Sequence, residues 1–273
     1  MPQSFEQDFN PVVVADLGIE LHRREAMARS VPPPAATLRY GNGPRQLIDV
    51  YRPPAAATGA CLVYFHGGYW CSGGAAGSSF VAGPFLAAGV TVAIVGYDLC
   101  PDVTVSAIVD QARAARDFVL DSARQFAIDV GRILIGGSSA GAHLCAMLLQ
   151  DGPSAWPKSP VAALVTGVYD LEPVLGISIN STLGLAAADV EPLSPLRRTG
   201  SMCCRQLLVA VGGGEPAPWQ AMSSAFAARA TSEGIPTEYL VCDGEDHFAV
   251  TTSIGRYDHE LTRKSIALLA PRS

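Results

Sequence analysis

The sequence predicts an α/β fold with a mostly parallel central sheet that helices cover on both faces. Short apolar runs that end in glycine or a turn alternate with stretches of helical periodicity, which is the pattern of successive β-α-β units. The composition agrees, because 49% hydrophobic and 16% charged residues exclude an intrinsically disordered chain. No repeat or low-complexity linker divides the 273 residues, so we expect a single domain over residues 1–273.

The predicted strands are apolar, β-branched or aromatic runs bounded by turn residues. Along the chain they are Leu47–Tyr51, Cys61–Phe65, Val90–Val95, Arg132–Ile135, Val161–Val165, Gln206–Val211 and Thr237–Cys242. The predicted helices are Ala82–Ala88, Val103–Phe126, Ala140–Leu149, Pro218–Ser232 and Ala249–Leu269. We also expect one or two helices in an N-terminal segment at about residues 5–30, and a small cap-like or lid insertion at about residues 171–201.

Composition also excludes several classes of function. The formal net charge is −6 and no block of Lys or Arg is present, so we expect no nucleic acid partner. No apolar run reaches the roughly 18 residues that a membrane span needs, and no cationic segment precedes an apolar one at the start, so we expect neither a membrane partner nor a signal peptide. The seven cysteines show no C-x-x-C spacing, and the five histidines are scattered. These features predict reduced thiols in a cytoplasmic protein and no metal site.

A serine between two glycines follows the predicted strand Arg132–Ile135. The stretch Gly137-Ser138-Ser139-Ala140-Gly141 fits the G-x-S-x-G pattern of a nucleophile elbow, which lies between a strand and a helix. Such a turn is too tight for side chains on either side of the serine, and glycine removes them. The N-terminus of the following helix favours negative charge there. Ser139 is therefore the candidate nucleophile, and Ser138 is a competing serine without the flanking glycines.

A second glycine motif follows the predicted strand Cys61–Phe65. His66-Gly67-Gly68 is close to the HGGG-type motif that forms an oxyanion hole. The backbone N–H groups of Gly67 and Gly68, with that of Ala140 next to the candidate nucleophile, are the candidate oxyanion donors. We expect His66 to brace this loop by hydrogen bonding rather than to act as a base.

Three aromatic residues are candidates for contact with a substrate. Tyr69 and Trp70 come directly after the glycine motif, and Tyr169 lies in the stretch Gly-Val-Tyr-Asp. Each can stack on an aromatic ring, and plain packing in the core is the alternative interpretation.

The candidate base follows the last predicted strand. His247 comes a few residues after Thr237–Cys242, at the carboxyl edge of the sheet where ligands bind in this class of fold. The alternatives are His22 in the N-terminal segment, His143 within a predicted helix and His259 in the C-terminal helix.

The candidate acid lies between the serine and the histidine in the sequence. In this fold the serine comes first along the chain, the aspartate or glutamate second and the histidine third. Glu215 is the first acid after the predicted strand Gln206–Val211, and we expect it to orient His247 and stabilise its protonated form. Asp243 and Asp246 are the alternatives, and both are typical of turns.

Four motifs, taken in their order and spacing, resemble the kynurenine formamidases (arylformamidases), which are α/β-hydrolases of the hormone-sensitive-lipase-like branch. The motifs are YFHGGYW, GGSSAGAHLCAMLL, GVYDLEPV and DGEDHF, and the resemblance runs from about Phe5 to the C-terminal helix. It implies the α/β-hydrolase fold, with Ser139 as nucleophile, His247 as base, and Gly67 and Gly68 as oxyanion donors. That family usually has an aspartate at the acid position, where this chain has Glu215.

The resemblance implies a serine hydrolase of tryptophan breakdown. Such an enzyme cleaves the formamide of N-formyl-L-kynurenine, or of a similar aryl formamide, to the arylamine and formate, and it needs no cofactor. The alternatives are a carboxylesterase or amidase for another small aryl or short-acyl substrate, and a non-catalytic binding protein on the same scaffold. We expect the partner to be a small-molecule aryl amide or ester. We expect the insertion to set the preference among such substrates. A homodimer is compatible with the same observations.

Overall fold

One sheet of eight strands forms the centre of the protein. A computed structural model describes residues 5–11, 17–55 and 57–270. Its strands are β1 (Ala36–Arg39), β2 (Leu47–Tyr51), β3 (Cys61–Phe65), β4 (Thr91–Val95), β5 (Ile133–Ser138), β6 (Val161–Val165), β7 (Gln206–Gly212) and β8 (Thr237–Cys242). They are ordered β1-β2-β4-β3-β5-β6-β7-β8. The β1–β2 and β2–β4 pairs are antiparallel and all others are parallel, which confirms the predicted α/β class.

Ten α-helices connect and cover these strands in the described part of the chain. They are α1 (Phe5–Phe9), α2 (Leu17–Ala28), α3 (Ala82–Ala87), α4 (Val105–Ser122), α5 (Ala140–Leu149), α6 (Asn180–Leu183), α7 (Ala187–Leu193), α8 (Ala217–Ser232), α9 (His247–Ser253) and α10 (Glu260–Ala267). Short 3-10 helices lie at Ala76–Val81, Pro153–Ala155 and Pro173–Gly176. None of the helices in the described ranges is long and apolar enough to cross a membrane.

The two faces of the sheet form two separate apolar layers. Side chains alternate between the faces, so in β3 Val63 belongs to one layer and Leu62 to the other. Helices α4, α5 and α8 pack on the first face, and α3, α9 and α10 pack on the second. Because helices cover both faces, β3, β4, β5 and β6 are buried over their whole length, and their continuous apolar runs reflect that burial.

The structure differs from the sequence-based expectation at three elements. The predicted helix Ala249–Leu269 is two helices, because the chain turns at Gly255 and the side chain of His259 caps α10 by accepting the N–H of Leu261. The predicted helix Val103–Phe126 begins later, since Thr104 caps α4 by accepting the N–H of Ala107 at 3.1 Å. Strand β1 was not predicted; it is short and pairs only with β2.

The N-terminal segment and the insertion lie near the carboxyl edge of the sheet. Helix α2 packs against α9 and the 3-10 helix Ala76–Val81, and α1 packs against α8. The insertion at residues 171–201 contains α6 and α7. Its action as a cap stays a prediction.

Glycine at position 141 is a steric requirement of the crossing between β3 and α5. A Cβ atom there would lie 2.0 Å from the backbone oxygen of Phe65, which a flexible side-chain movement does not relieve. We expect Gly141→Ala to lower the free energy of unfolding by about 3 kcal/mol or more, measured by urea denaturation. Gly200→Ala is the matched control, because a Cβ there meets nothing within 4 Å. Equal losses in the two variants would contradict the steric explanation.

Candidate active site

Four polar residues follow four neighbouring strands at the same edge of the sheet. Ser139 follows β5, Thr166 follows β6, Glu215 comes three residues after β7, and His247 begins the helix after β8. The parallel register pairs Ser138 with Val165 and continues through β7 to β8, so the strand ends stand side by side at about 4.8 Å spacing. The structure thus places the predicted serine, glutamate and histidine at the same edge of the sheet.

Ser139 is held in a strained turn between β5 and α5. Its φ is +53° and its ψ is −119°, a conformation that costs a non-glycine residue about 1–3 kcal/mol. Its N–H donates to the carbonyl oxygen of Val165 at 2.9 Å, which ties the turn to β6. The competing Ser138 is the last residue of β5, and its hydroxyl accepts a hydrogen bond from Tyr64 at 3.0 Å.

Glu215 and His247 form a buried pair. The Nδ1 atom of His247 lies 2.7 Å from Oε1 of Glu215, and the residues are 5% and 4% exposed, respectively. The other oxygen, Oε2, accepts the N–H of Gly212 at 2.7 Å. A buried carboxylate with these donors is stabilised in its charged form, so it favours the tautomer of His247 with a proton on Nδ1. No protein group in the described ranges, the hydroxyl of Ser139 included, bonds to Nε2 of that ring.

The three glycines before Glu215 allow two loops to pack closely. A Cβ at Gly212 would lie 2.3 Å from the carbonyl oxygen of Glu245, and the N–H of Gly214 donates to that same oxygen at 2.8 Å. These contacts join the turn that carries the glutamate to the loop that carries His247. Asp246 does not contact His247 as an acid would, because its Oδ1 accepts the N–H groups of Phe248 and Ala249 and so caps α9.

Thr166 and Trp219 complete the surroundings of this pair, and sequence reasoning missed both. The hydroxyl of Thr166 lies 2.6 and 2.7 Å from the two carboxylate oxygens of Glu215 and 3.3 Å from Nδ1 of His247. Its φ is +44°, so its backbone is also strained. The ring of Trp219 packs edge-on against His247 with 4.6 Å between centroids. The signal that could have found Thr166 is its position directly after a buried parallel strand.

A cavity of about 610 Å³ opens at the candidate nucleophile, which is within the usual range for small-molecule sites. Ser139 and His247 both line it, so the strained serine and the histidine face the same space. Helix α2 supplies a larger share of the wall than the insertion does, for Ile179 lines it from the insertion and four residues line it from α2. The α2 residues are Leu21, Arg24, Glu25 and Ala28.

The glycine loop after β3 forms another side of the cavity. Gly67 and Gly68 line it, and Gly68 has a φ of +119° that side-chain-bearing residues rarely adopt. Within the described residues, the N–H groups of Gly67, Gly68 and Ala140 donate to no protein acceptor. His66 lies behind the loop, where its Nδ1 donates to the carbonyl of Gly67 at 2.7 Å.

The other histidines are engaged elsewhere. Burial lowers the pKa of both His66 and His143 to about 4, so each ring is neutral near pH 7. His143 bonds through Nε2 to the carbonyl oxygen of Leu193 at 2.7 Å. His22 bonds within α2 to the carbonyl oxygen of Gly18, and His259 caps α10.

The three predicted aromatic contacts separate into one cavity residue and two core residues. Tyr69 lines the cavity, and its hydroxyl donates to the carbonyl of Phe9. Trp70 and Tyr169 are fully buried, so the expectation that they contact substrate is wrong. Trp70 packs against the ring of His143 with 4.9 Å between centroids, and Tyr169 stacks on Phe226 at 4.2 Å.

One group of side chains in the described residues has the composition of a metal site. Cys242, Glu245 and His259 have potential ligand atoms within 4.8 Å of one another. The group already forms internal contacts, because Nε2 of His259 lies 3.2 Å from Oε1 of Glu245 and its Nδ1 accepts the N–H of Leu261. Burial also raises the pKa of the Cys242 thiol to about 12. These contacts make it a structural cluster at the start of α10.

Comparison with known proteins identifies the class to which this fold and site belong. Residues 62–251 match the model of a family with the alpha/beta hydrolase fold, and the chain is therefore a member of that family. It is also 30% identical over 253 residues to the kynurenine formamidase of Salmo salar, and 29% identical over 251 residues to that of Danio rerio. Each alignment covers 89% of this chain and 84% of the relative. Within the alpha/beta hydrolases, the chain belongs to the kynurenine formamidase family.

Solved structures share the same architecture. A Silicibacter protein provisionally described as a thioesterase is 26% identical and superposes with a TM-score of 0.79, covering 96% of both chains. An esterase of Pyrobaculum calidifontis superposes with a TM-score of 0.76 at 19% identity, covering 96% of this chain and 93% of that one. The second likeness shows the fold alone.

The hydroxyl of Thr166 stabilises the buried charge of Glu215. Thr166→Val keeps the β-branched shape and the backbone strain but removes this donor, so we expect it to lower the free energy of unfolding by about 1.5–3 kcal/mol. The control is Thr262→Val, a buried threonine whose hydroxyl donates to the neutral carbonyl of Ser253 and whose loss should cost about 1 kcal/mol. Urea denaturation measures both. A smaller loss at position 166 than at position 262 would contradict this assignment.

Proposed function

We propose that the protein is a serine hydrolase that cleaves the formamide of N-formyl-L-kynurenine or a similar aryl formamide. The observation that carries the proposal is the buried contact between Glu215 and His247, together with the strained Ser139 that lines the same cavity as His247. Membership of the kynurenine formamidase family supports the substrate class. A cytoplasmic location, a role in tryptophan breakdown and a homodimer stay predictions of the sequence.

The first step is attack of the Ser139 hydroxyl oxygen on the formyl carbon. His247 takes the hydroxyl proton at Nε2, the nitrogen that Glu215 leaves free by holding Nδ1. The hydroxyl must come within hydrogen-bond reach of Nε2 for this transfer; such contacts often tighten only when substrate binds. The carboxylate of Glu215 then stabilises the imidazolium ion that forms.

The carbonyl oxygen becomes an oxyanion as the serine adds. The N–H groups of Gly67, Gly68 and Ala140 are the proposed donors, because they are not used by other groups of the described chain. Each donor that strengthens its bond as the charge develops lowers the barrier by about 3–4 kcal/mol.

Collapse of the tetrahedral intermediate breaks the C–N bond. The imidazolium of His247 returns its proton to the departing nitrogen, which leaves as the neutral arylamine, and a formyl ester remains on Ser139. Water then adds to that ester while His247 takes one proton from the water. The second collapse protonates the serine oxygen and releases formate.

The same residues would serve a carboxylesterase or amidase for another small aryl or short-acyl substrate. An arylamine leaves more readily than an alkylamine, and a formyl group is small, so ester-cleaving residues suffice for an aryl formamide. The two functions therefore differ in the shape and charge of the cavity rather than in the reacting groups.

Substitution of the proposed triad separates its members by role. Ser139→Ala and His247→Ala should each lower kcat/KM by at least about 10³-fold with the fold intact, and Glu215→Gln should cost less because the acid acts through His247. Turnover and circular dichroism measure these effects, and a fluorophosphonate should label wild type but not Ser139→Ala. Asp246→Asn is the control for the acid, since Asp246 caps α9. A silent Glu215→Gln beside an impaired Asp246→Asn would overturn the acid assignment.

The substrate class is tested by comparing two substrates on the wild-type protein. We expect kcat/KM for N-formyl-L-kynurenine to equal or exceed that for p-nitrophenyl acetate, because a formyl carbon carries only hydrogen and is less hindered to attack by Ser139 than an acetyl carbon. Formate release and nitrophenolate absorbance measure the two rates, with Ser139→Ala as the background. A preference for the ester by orders of magnitude would favour the carboxylesterase.

A further inference from the structure

Arg24 of α2 is a half-buried cation on the wall of the candidate active-site cavity. Its Nε donates to the hydroxyl of Thr252 at 2.9 Å, and its Nη2 donates to the carbonyl of Phe248 at 3.2 Å and to the hydroxyl of Thr251. The guanidinium also lies 5.1 Å from the ring centroid of Phe80. These contacts hold the guanidinium in one orientation, as a preformed binding group requires.

The charge of Arg24 has no anionic partner in the described chain. No carboxylate oxygen of the described residues lies within 4.0 Å of its guanidinium, and its nearest acidic neighbours are engaged elsewhere. Glu20 pairs with Arg23 at 2.6 Å, and Asp246 caps α9. Removal of the guanidinium from water lowers the pKa of Arg24. A cation in this state gains more from an added anion than a solvated surface arginine does.

Arg24 lies close enough to the proposed base, His247, for one small molecule to contact both residues. Thr251 lies one turn of α9 beyond His247, a distance of about 5–6 Å along the helix. Phe248, whose carbonyl accepts from Arg24, directly follows the proposed base. The Nη1 atom of the guanidinium donates to no protein group in the described residues, so a donor remains for a ligand on this side of the cavity.

We propose that Arg24 is the carboxylate-binding residue of the cavity and that the enzyme selects aryl amides or esters that carry an anionic side chain. The proposal extends the proposed function by naming the polar end of the substrate and the residue that binds it. In N-formyl-L-kynurenine the formamide and the amino-acid side chain occupy neighbouring ring positions, so the formyl carbon can reach Ser139 while the carboxylate reaches α2.

Glu25 is the other charged residue of α2 that lines the cavity. Its carboxylate is mostly exposed and lies 3.8 Å from the guanidinium of Arg29, so solvent and that partner screen its repulsion of an anion. Arg24 is less exposed than Glu25, and its field in the cavity is therefore less screened. The sum of these two charges at this end of the cavity therefore favours an anionic ligand.

The test compares two aryl ligands of similar shape that end in a charged carboxylate or in a neutral carboxamide. 4-Oxo-4-phenylbutanoate and its carboxamide share the aryl ketone side chain of kynurenine, and neither contains an aryl amide or an ester bond. Isothermal titration calorimetry should show that wild type binds the carboxylate at least about tenfold more tightly than the carboxamide, as expected for one charge-assisted hydrogen bond. Arg24→Gln should reduce this preference to within about twofold, and Arg24→Lys should retain part of it.

Arg263→Gln is the control, because Arg263 is an exposed arginine of α10 that donates to the carbonyl of Asp258 and does not line the cavity. It should keep the full preference. Thermal unfolding of each variant detects loss of the α2 contacts. A wild type that does not discriminate between the ligands, or an Arg24→Gln variant that binds both more weakly but keeps their ratio, would overturn the proposal.

Because calorimetry measures binding without turnover, the result is independent of the proposed reaction. Discrimination that depends on Arg24 in a protein that does not cleave N-formyl-L-kynurenine would support the carboxylate site and reject the formamidase function. Cleavage of that substrate without discrimination would support the function and reject the site.

Discussion

The candidate active site depends on the parallel pairing of β5, β6, β7 and β8. Parallel strands end at the same edge of a sheet, and here four successive ends carry Ser139, Thr166, Glu215 and His247. A shift of one strand by one residue would turn its apolar side chains to the opposite layer, so the same packing that forms the core also fixes the site. The short connections after the strands then decide how each polar side chain is aimed.

The carboxylate of Glu215 needs more support than that of an aspartate would, because the glutamate side chain has one more rotatable bond. In this structure that support comes from the hydroxyl of Thr166 and the N–H of Gly212, which together with His247 bond to the carboxylate. The glycines before Glu215 shorten the distance between the two loops, since a side chain at Gly212 would collide with Glu245. The longer acid and the glycine-rich turn are thus parts of one arrangement.

Local patterns predicted the parts of the site that local geometry determines. The elbow, the glycine loop, Glu215 and His247 each follow a parallel strand within a few residues, and the structure places them at one edge. The sequence did not reveal contacts between distant segments. Thr166, after β6, bonds to Glu215, after the neighbouring strand β7, and α2 packs against α9 near the other end of the chain. The same reason explains why substrate contact was wrongly predicted for Trp70 and Tyr169. Their burial depends on residues distant in the sequence, which a local pattern does not identify.

The proposed recognition of substrate and the proposed chemistry are carried by different parts of the chain. The reacting residues lie on the sheet edge, whereas α2 closes the cavity from outside and is fastened to α9 by polar contacts of Arg24. The guanidinium that holds this helix in place also lines the cavity. A ligand that binds only when α2 is docked stabilises the docked state by mass action. At this helix, ligand affinity and local stability are therefore linked through the side chain of Arg24. Changes elsewhere on α2 can then alter the substrate range while the strand ends, and the chemistry they support, stay as they are.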